Sequence, residues 1–99
     1  MYPNDEQWAI FQRYQNCPLP MHPRTFLQHW ELDYPDIARL TGVSRHTVSH
    51  WFSSGRGGRP APEAHQRRLA TIHFLWSNSD RIPIDLLDQW CELTDDKHE

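Results

Sequence analysis

Proline and glycine divide this chain into segments that are too short for anything but small helices. Eight prolines and four glycines occur among 99 residues, and three of the prolines fall within residues 18–23, where they prevent a helix. The segments between these breaks carry apolar residues at helical spacing, and little of the chain alternates as a strand does. The sequence therefore predicts an all-α fold, and its length predicts one domain over residues 1–99.

Capping residues and apolar spacing predict six helices. The first covers residues 5–16, and the second runs from residue 23 or 24 to about residue 31. Asp33 caps the third helix and Gly42 ends it, while Ser44 caps a fourth that reaches about residue 53. A fifth starts at Pro62 and ends near residue 77. We therefore expect an N-terminal helix and proline-rich linker (1–22), a central core (24–76), a C-terminal helix (80–94) that begins with Asp80 and Pro83, and a frayed acidic tail (95–99).

The twelve aromatic residues supply much of the bulk for a core. Each of the five tryptophans lies in an apolar stripe at helical spacing, so we expect them to anchor the core. The first and last helices both present such stripes, formed by Trp8, Phe11 and Tyr14 and by Leu86, Leu87, Trp90 and Leu93. Two roles remain open for these faces: packing within the chain, or contact with a second copy.

The net charge of −3 hides an uneven distribution. Residues 39–68 hold six arginines against one glutamate, whereas residues 1–38 sum to −3 and residues 69–99 to −5. A uniformly basic surface is excluded, but a local basic centre suits a nucleic acid partner. The acidic ends suit a protein partner, which keeps a protein adaptor as the alternative function.

Residues 36–52 form the most informative segment. Two short helices should meet at a tight turn, where Ala38 permits close crossing and Gly42 permits a positive φ. On the second of these helices, Val48 and Trp51 should face inward with Phe52. The outward stripe contains no acid and offers short or planar polar groups, which suit the edges of bases in a major groove; it consists of Arg45, His46, Ser49, His50 and Ser53.

The spacing of Ala38, Gly42, Val48 and Trp51 resembles the helix-turn-helix of bacterial regulators. Residues 36–49 are similar to the Lac-repressor-type headpiece. The continuation through a Gly/Arg loop to Pro62 looks more like the Cro/phage-repressor-like class. The resemblance covers about residues 25–76, and it departs from that class at residues 34–35, where Tyr-Pro replaces a frequent glutamine.

This resemblance implies a sequence-specific regulator of transcription that reads double-stranded DNA with a recognition helix at residues 44–53. The positions that would face DNA are Ser44, Arg45, His46, Ser49, His50 and Ser53. A single motif of this kind contacts few base pairs, so a homodimer on two half-sites is expected. The N-terminus has no basic region followed by an apolar run, so we expect a cytoplasmic, nucleoid-associated protein.

Further arginines flank the motif. The loop at residues 55–60 resembles an AT-hook core with one extra glycine, so Arg56 and Arg59 are predicted to contact phosphates or a narrow minor groove. The alternative is a flexible, solvated turn. Arg67 and Arg68, on the next helix, either contact phosphate or form its solvated face.

Other functional classes find no support in the sequence. We recognise no catalytic motif and no cofactor-binding loop, so we expect neither enzymatic activity nor a cofactor. His46 and His50 have a spacing that could bind a metal, but no third ligand accompanies them, so no metal site is predicted. No stretch approaches the roughly 20 apolar residues that a membrane span needs.

Overall fold

The computed structural model describes residues 1–93 and confirms the all-α class. Its six helices are α1 (Asp5–Tyr14), α2 (Pro23–His29), α3 (Tyr34–Thr41), α4 (Arg45–Phe52), α5 (Glu63–Ser77) and α6 (Ile84–Glu92). No strand occurs within residues 1–93, and none of the helices described there is long and apolar enough to cross a membrane. The predicted acidic tail lies outside the described residues.

Side-chain oxygens cap three of the helices, and two of these caps, Asp33 and Ser44, are the ones that the sequence predicts. The side-chain oxygens of Asn4, Asp33 and Ser44 each accept a hydrogen bond from a backbone N–H three residues later, at 2.9–3.1 Å. Asp36 returns a bond to the backbone N–H of Asp33, which completes a capping box. These bonds satisfy amides that the first helical turn leaves without partners.

The predicted helix ends are less accurate. α1 ends at Tyr14 rather than at residue 16, and α2 ends at His29 because Trp30 adopts an extended backbone. The prediction that Asp80 starts the last helix is wrong, since the amides of Arg81 and Ile82 turn back to the carbonyl of Asn78. Pro83 disfavours the helical conformation in the residue before it, so α6 begins only at Ile84.

The core is a single cluster that α2 to α5 build around four fully buried side chains. Phe26, Ile37, Val48 and Leu69 are inaccessible to solvent, and Ala38, Trp51 and Ala61 complete the cluster. All of these residues lie within the predicted core segment, residues 24–76. The fold therefore holds α4 on one side by burying Val48 and Trp51, which leaves the opposite side of this helix to solvent.

The two terminal helices contribute nothing to this core. No residue of α1 or α6 is buried. The prediction that all five tryptophans anchor the core is therefore wrong: Trp51 is buried and Trp30 half-buried, but Trp8, Trp76 and Trp90 are 41–52% exposed. Helical spacing predicts an apolar face, but it does not say whether another element covers that face.

The proline-rich linker is fixed to α5 by one arginine. The Arg67 guanidinium donates to the carbonyl oxygens of Asn16 and Pro18 at 2.9 and 2.7 Å, and it pairs with Glu63 at 2.6 Å. The amide of Met21 adds a bond to the carbonyl of Gln66. These contacts hold the C-terminal end of α1 beside α5.

Candidate nucleic-acid interface

The corner between α3 and α4 has the tight geometry that the sequence predicts. Gly42 has φ +78°, in the left-handed region that favours glycine. The amides of Gly42 and Val43 both bond to the carbonyl of Ala38, at 2.8 and 3.2 Å. Ser44 follows directly as the cap of α4. Two short helices thus join through three residues, and their angle is fixed by backbone bonds and by the buried Ala38.

The first turn of α4 is exposed and contains no acid. Ser44, Arg45 and His46 are all exposed. The Ser44 hydroxyl is engaged at the cap, where it also lies 3.0 Å from the Thr47 hydroxyl. Arg45 is therefore the side chain of this turn with the most freedom to contact a ligand, and the amides of the helix N-terminus favour an anionic one.

The second half of the predicted stripe is partly occupied by contacts within the protein. Ser49 and His50 are half-buried, and the Ser53 hydroxyl donates to the carbonyl of Ser49 at 2.8 Å. His50 places Nδ1 against the carbonyl oxygen of Gly57 and Nε2 3.1 Å from Nε2 of His46. Because a carbonyl oxygen only accepts, Nδ1 of His50 carries a proton and donates to Gly57.

The Gly/Arg loop lies against α4 instead of hanging free. It contains a single 3-10 turn over Gly55–Gly57, and the amide of Arg59 bonds to the carbonyl of His50 at 3.0 Å. A Cβ at Gly58 would lie 2.4 Å from the carbonyl oxygen of Ser53, so only glycine fits there. Together with the His50 side chain, these contacts position Arg56 and Arg59 next to the C-terminal half of α4.

Removing the imidazole of His50 is expected to loosen this loop. In His50→Ala the bond to Gly57 is lost, and an exposed bond of this kind contributes about 0.5–1.5 kcal/mol. The amide of Gly58, which bonds to Gly55 within the loop, should then exchange with solvent about 2- to 10-fold faster. His46→Ala is the matched control, because it spares the bond to Gly57. Equal exchange rates in both variants would contradict the structural role of His50.

The arginines of the basic centre fall into two groups. Arg39, Arg45, Arg56 and Arg59 are exposed, and their side chains form no hydrogen bond or ion pair with any residue in the range 1–93. Arg67 instead holds the linker, and Arg68 donates to the carbonyl of Leu40 at 2.6 Å. Arg45, Arg56 and Arg59 belong to α4 and to the loop beside it, and Arg39 lies on α3. Only Arg67 and Arg68 of the six are bound within the protein.

The structure adds neighbours that the sequence analysis missed. The Arg24 guanidinium donates to the carbonyl of Phe52, the last residue of α4, at 2.9 Å and lies over the Phe52 ring. The ring of Tyr34 stacks on the ring of Phe52, with the two centroids 4.8 Å apart. Arg24 and Phe52 stand 28 positions apart, so no local pattern could have revealed their contact.

Two shallow depressions flank Arg59. One is bordered by His22, Arg24 and Ser53, and the other by Thr47, His50 and His65. Histidine and arginine therefore surround Arg59 on both sides, with no carboxylate among the residues that line either depression. No local sequence pattern indicates His22 or His65 as neighbours of Arg59, because the fold brings them here from the N-terminal cap of α2 and from α5.

No group of three or more histidine, cysteine or carboxylate side chains that could hold a metal occurs in the part of the chain that the structure describes. The contacts that the surface around α4 offers are those of its arginines, histidines and hydroxyl groups.

Comparison of the chain with protein-family models, with curated proteins and with solved structures finds no match.

Proposed function

We propose that this protein is a small transcriptional regulator that binds specific double-stranded DNA, with α3 and α4 as a helix-turn-helix. The observation that carries the proposal is that the arginines of α4 and its adjacent loop have exposed side chains without internal partners: Arg45 in the first turn of α4, and Arg56 and Arg59 in the loop that bonds to His50. Unpaired guanidinium groups are well suited to bind a polyanion such as DNA, because the planar fork of guanidinium donors matches phosphates and guanine edges.

In this proposal α4 enters the major groove with its N-terminal half foremost. Arg45 and His46, both exposed in the first turn, contact base edges, and the backbone amides behind Ser44 face a phosphate. Arg56 and Arg59 contact the phosphates that flank the groove. His50 acts by holding the loop in place, a role that differs from the base contact expected for it from sequence.

The remaining surface limits where DNA can bind. Residues 1–38 and 69–99 are net acidic, so they repel phosphates and confine binding to the face around α4. A single helix in the groove reads few base pairs, and we therefore propose a homodimer on two half-sites about one turn apart. Binding to chromosomal DNA would place the protein at the nucleoid.

Selection from a random double-stranded DNA library at about 50 mM salt, where electrostatic binding is strong, tests this function. We expect enrichment of one sequence with two inverted half-sites spaced by about one helical turn. If the protein retains no DNA from the library at this salt concentration, the proposal is wrong. Enrichment of a single half-site would keep DNA binding but remove the dimer.

The salt dependence of binding tests whether the two loop arginines contact phosphate. Arg56→Ala and Arg59→Ala should each weaken binding to all sequences and reduce the slope of log affinity against log salt by about 0.9. Arg81→Ala is the matched control, since Arg81 is exposed and lies in the acidic C-terminal part of the chain. If Arg81→Ala changes the slope as much as the loop variants do, the loop does not contact phosphate.

A protein adaptor is the second candidate function, and the unburied apolar faces of α1 and α6 favour it. An adaptor should recover one partner at a fixed stoichiometry, and nuclease treatment should not change that recovery. Complete loss of recovery after nuclease treatment would favour DNA binding instead.

A further inference from the structure

An apolar groove lies between α5, α6 and the linker. Its volume is about 990 Å³, and no residue of α3, α4 or the Gly/Arg loop lines it. Phe74 of α5, Leu86 and Trp90 of α6, and Leu93 at the C-terminal cap of α6 line the groove while remaining 52–67% exposed. Four large apolar side chains in one concave surface exceed the scattered exposure that is usual for a monomer.

The helix α1 exposes apolar side chains that match the apolar lining of this groove. Trp8, Ile10 and Phe11 are 41–54% exposed, and among the aromatic rings of residues 1–93 that of Trp8 contacts those of Tyr2 and Phe11, both near it in sequence. An isolated helix of ten residues is marginal in water, so α1 needs a surface to pack against. The radius of gyration of 16.8 Å, against about 13 Å for a compact chain of 100 residues, is consistent with a helix that projects from the body.

The α1 helix of the same chain is poorly placed to fill the groove. Its last residue, Tyr14, already forms part of the groove wall together with Pro18. Arg67 holds the linker there through the carbonyls of Asn16 and Pro18, so α1 starts at the edge of the groove. The sequence of residues 94–99 offers no apolar side chain to such a groove, since five of the six residues are charged or titratable and the sixth is a threonine.

A small molecule also fits the groove poorly. Sites for small ligands combine an apolar wall with a few convergent polar groups that fix orientation. Here the lining is mostly aliphatic and aromatic, and it contains no carboxylate and no cationic side chain. The Thr71 hydroxyl is already bonded to the carbonyl of Arg67, which leaves Tyr14, Cys17 and Gln89 as the side chains with polar groups on an otherwise apolar wall. This chemistry suits an apolar helix face.

We infer that the groove of one copy receives α1 of a second copy, and that the exchange is reciprocal about a two-fold axis. This inference rests on the homodimer proposed above but not on DNA binding. We call α1 the arm. The four aromatic side chains of arm and groove offer about 400 Å² per chain, if each buries about half of its 150–250 Å². The three aliphatic ones add about 150 Å², at half of the roughly 60–120 Å² that a buried aliphatic side chain represents. Two copies would then bury about 1,100 Å², just above the roughly 1,000 Å² that a specific interface should exceed.

Two double variants, measured by sedimentation without DNA, test the exchange. The arm variant carries Trp8→Ala and Phe11→Ala, and the groove variant carries Leu86→Ala and Trp90→Ala. The wild type should sediment at twice the chain mass, and each variant alone should dissociate with a constant raised roughly 30-fold or more. Ile84→Ala is the control, because Ile84 is 74% exposed on α6 but does not line the groove.

Mixing the two variants distinguishes exchange from other dimers. A mixed dimer keeps one intact contact, between the arm of the groove variant and the groove of the arm variant, so mixing should restore dimer above the level of either variant alone. A monomeric wild type, or dimers that survive both double variants, would overturn the inference. Loss of dimer without recovery on mixing would indicate symmetric packing of like helices and would also overturn it.

The arm variant carries little risk of misfolding, because no residue of α1 is buried. Far-ultraviolet circular dichroism of both variants verifies that their helix content is kept. Failure of the exchange leaves the DNA selection unaffected, since the sedimentation measurement contains no DNA, and failure of DNA binding leaves the dimer intact.

Discussion

Replacing Phe26 with alanine is expected to lower the free energy of unfolding by about 3–5 kcal/mol. Phe26 is inaccessible to solvent, and its ring lies 6.1–6.5 Å from those of Trp30 and Trp76. It belongs to the same cluster as Ile37 and Val48, so the cavity would open beneath the two helices that carry the candidate interface. For a domain with a total stability of about 5–15 kcal/mol, this loss is a large fraction.

Chemical denaturation at one fixed chain concentration measures this effect, because association would otherwise shift the apparent stability. Leu19→Ala is the control: Leu19 is 70% exposed in the linker, and the change should stay within about 0.5 kcal/mol. A loss of less than about 1 kcal/mol for Phe26→Ala would contradict the position of Phe26 at the centre of the core.

Replacing Arg45 with alanine is expected to reduce discrimination between the selected DNA site and other sequences. A bidentate contact to guanine contributes about 1–3 kcal/mol of discrimination, which corresponds to about 5- to 150-fold in relative affinity. Arg45 is the first residue of α4, it is exposed, and no acid accompanies it in that turn. It therefore has both the position and the freedom for such a contact.

The variant Arg45→Lys separates base recognition from charge. Lysine keeps the positive charge but lacks the planar fork of donors, so the salt slope should stay near that of the wild type while the sequence preference weakens. Affinities for the selected site and for random DNA are measured at the same salt concentration. If Arg45→Ala weakens both affinities by the same factor, Arg45 contacts a phosphate and not a base.

Local sequence signals predicted the features that depend on neighbours within about four positions. The sequence predicts Asp33 as a cap, Gly42 as a left-handed turn residue and Ser44 as a second cap, and the structure confirms all three. Val48 and Trp51 were correctly placed inward by their spacing. Such features are predictable because the bonds that make them join residues of the same turn.

Contacts between distant segments escaped the same reasoning. Arg67 had two open roles in the sequence, and only the approach of the linker to α5 gave it the carbonyls of Asn16 and Pro18, about fifty positions away. The sequence predicts that His50 faces outward, yet the loop folds back over α4 and the carbonyl oxygen of Gly57 accepts a hydrogen bond from Nδ1–H of His50. Arginine and histidine can each bind DNA or bond to a carbonyl within the protein. Composition and spacing therefore could not decide between these two roles.

The sequence by itself determined an all-α chain, its caps, the turn at Gly42 and the buried side of α4, because proline, glycine and capping residues act on the backbone next to them. Only the tertiary structure decided which arginines stay unpaired and which helices are left uncovered. Those outcomes depend on which surfaces meet when α2 to α5 close the core, leaving Arg45, Arg56 and Arg59 without partners among the described residues and α1 and α6 without buried residues.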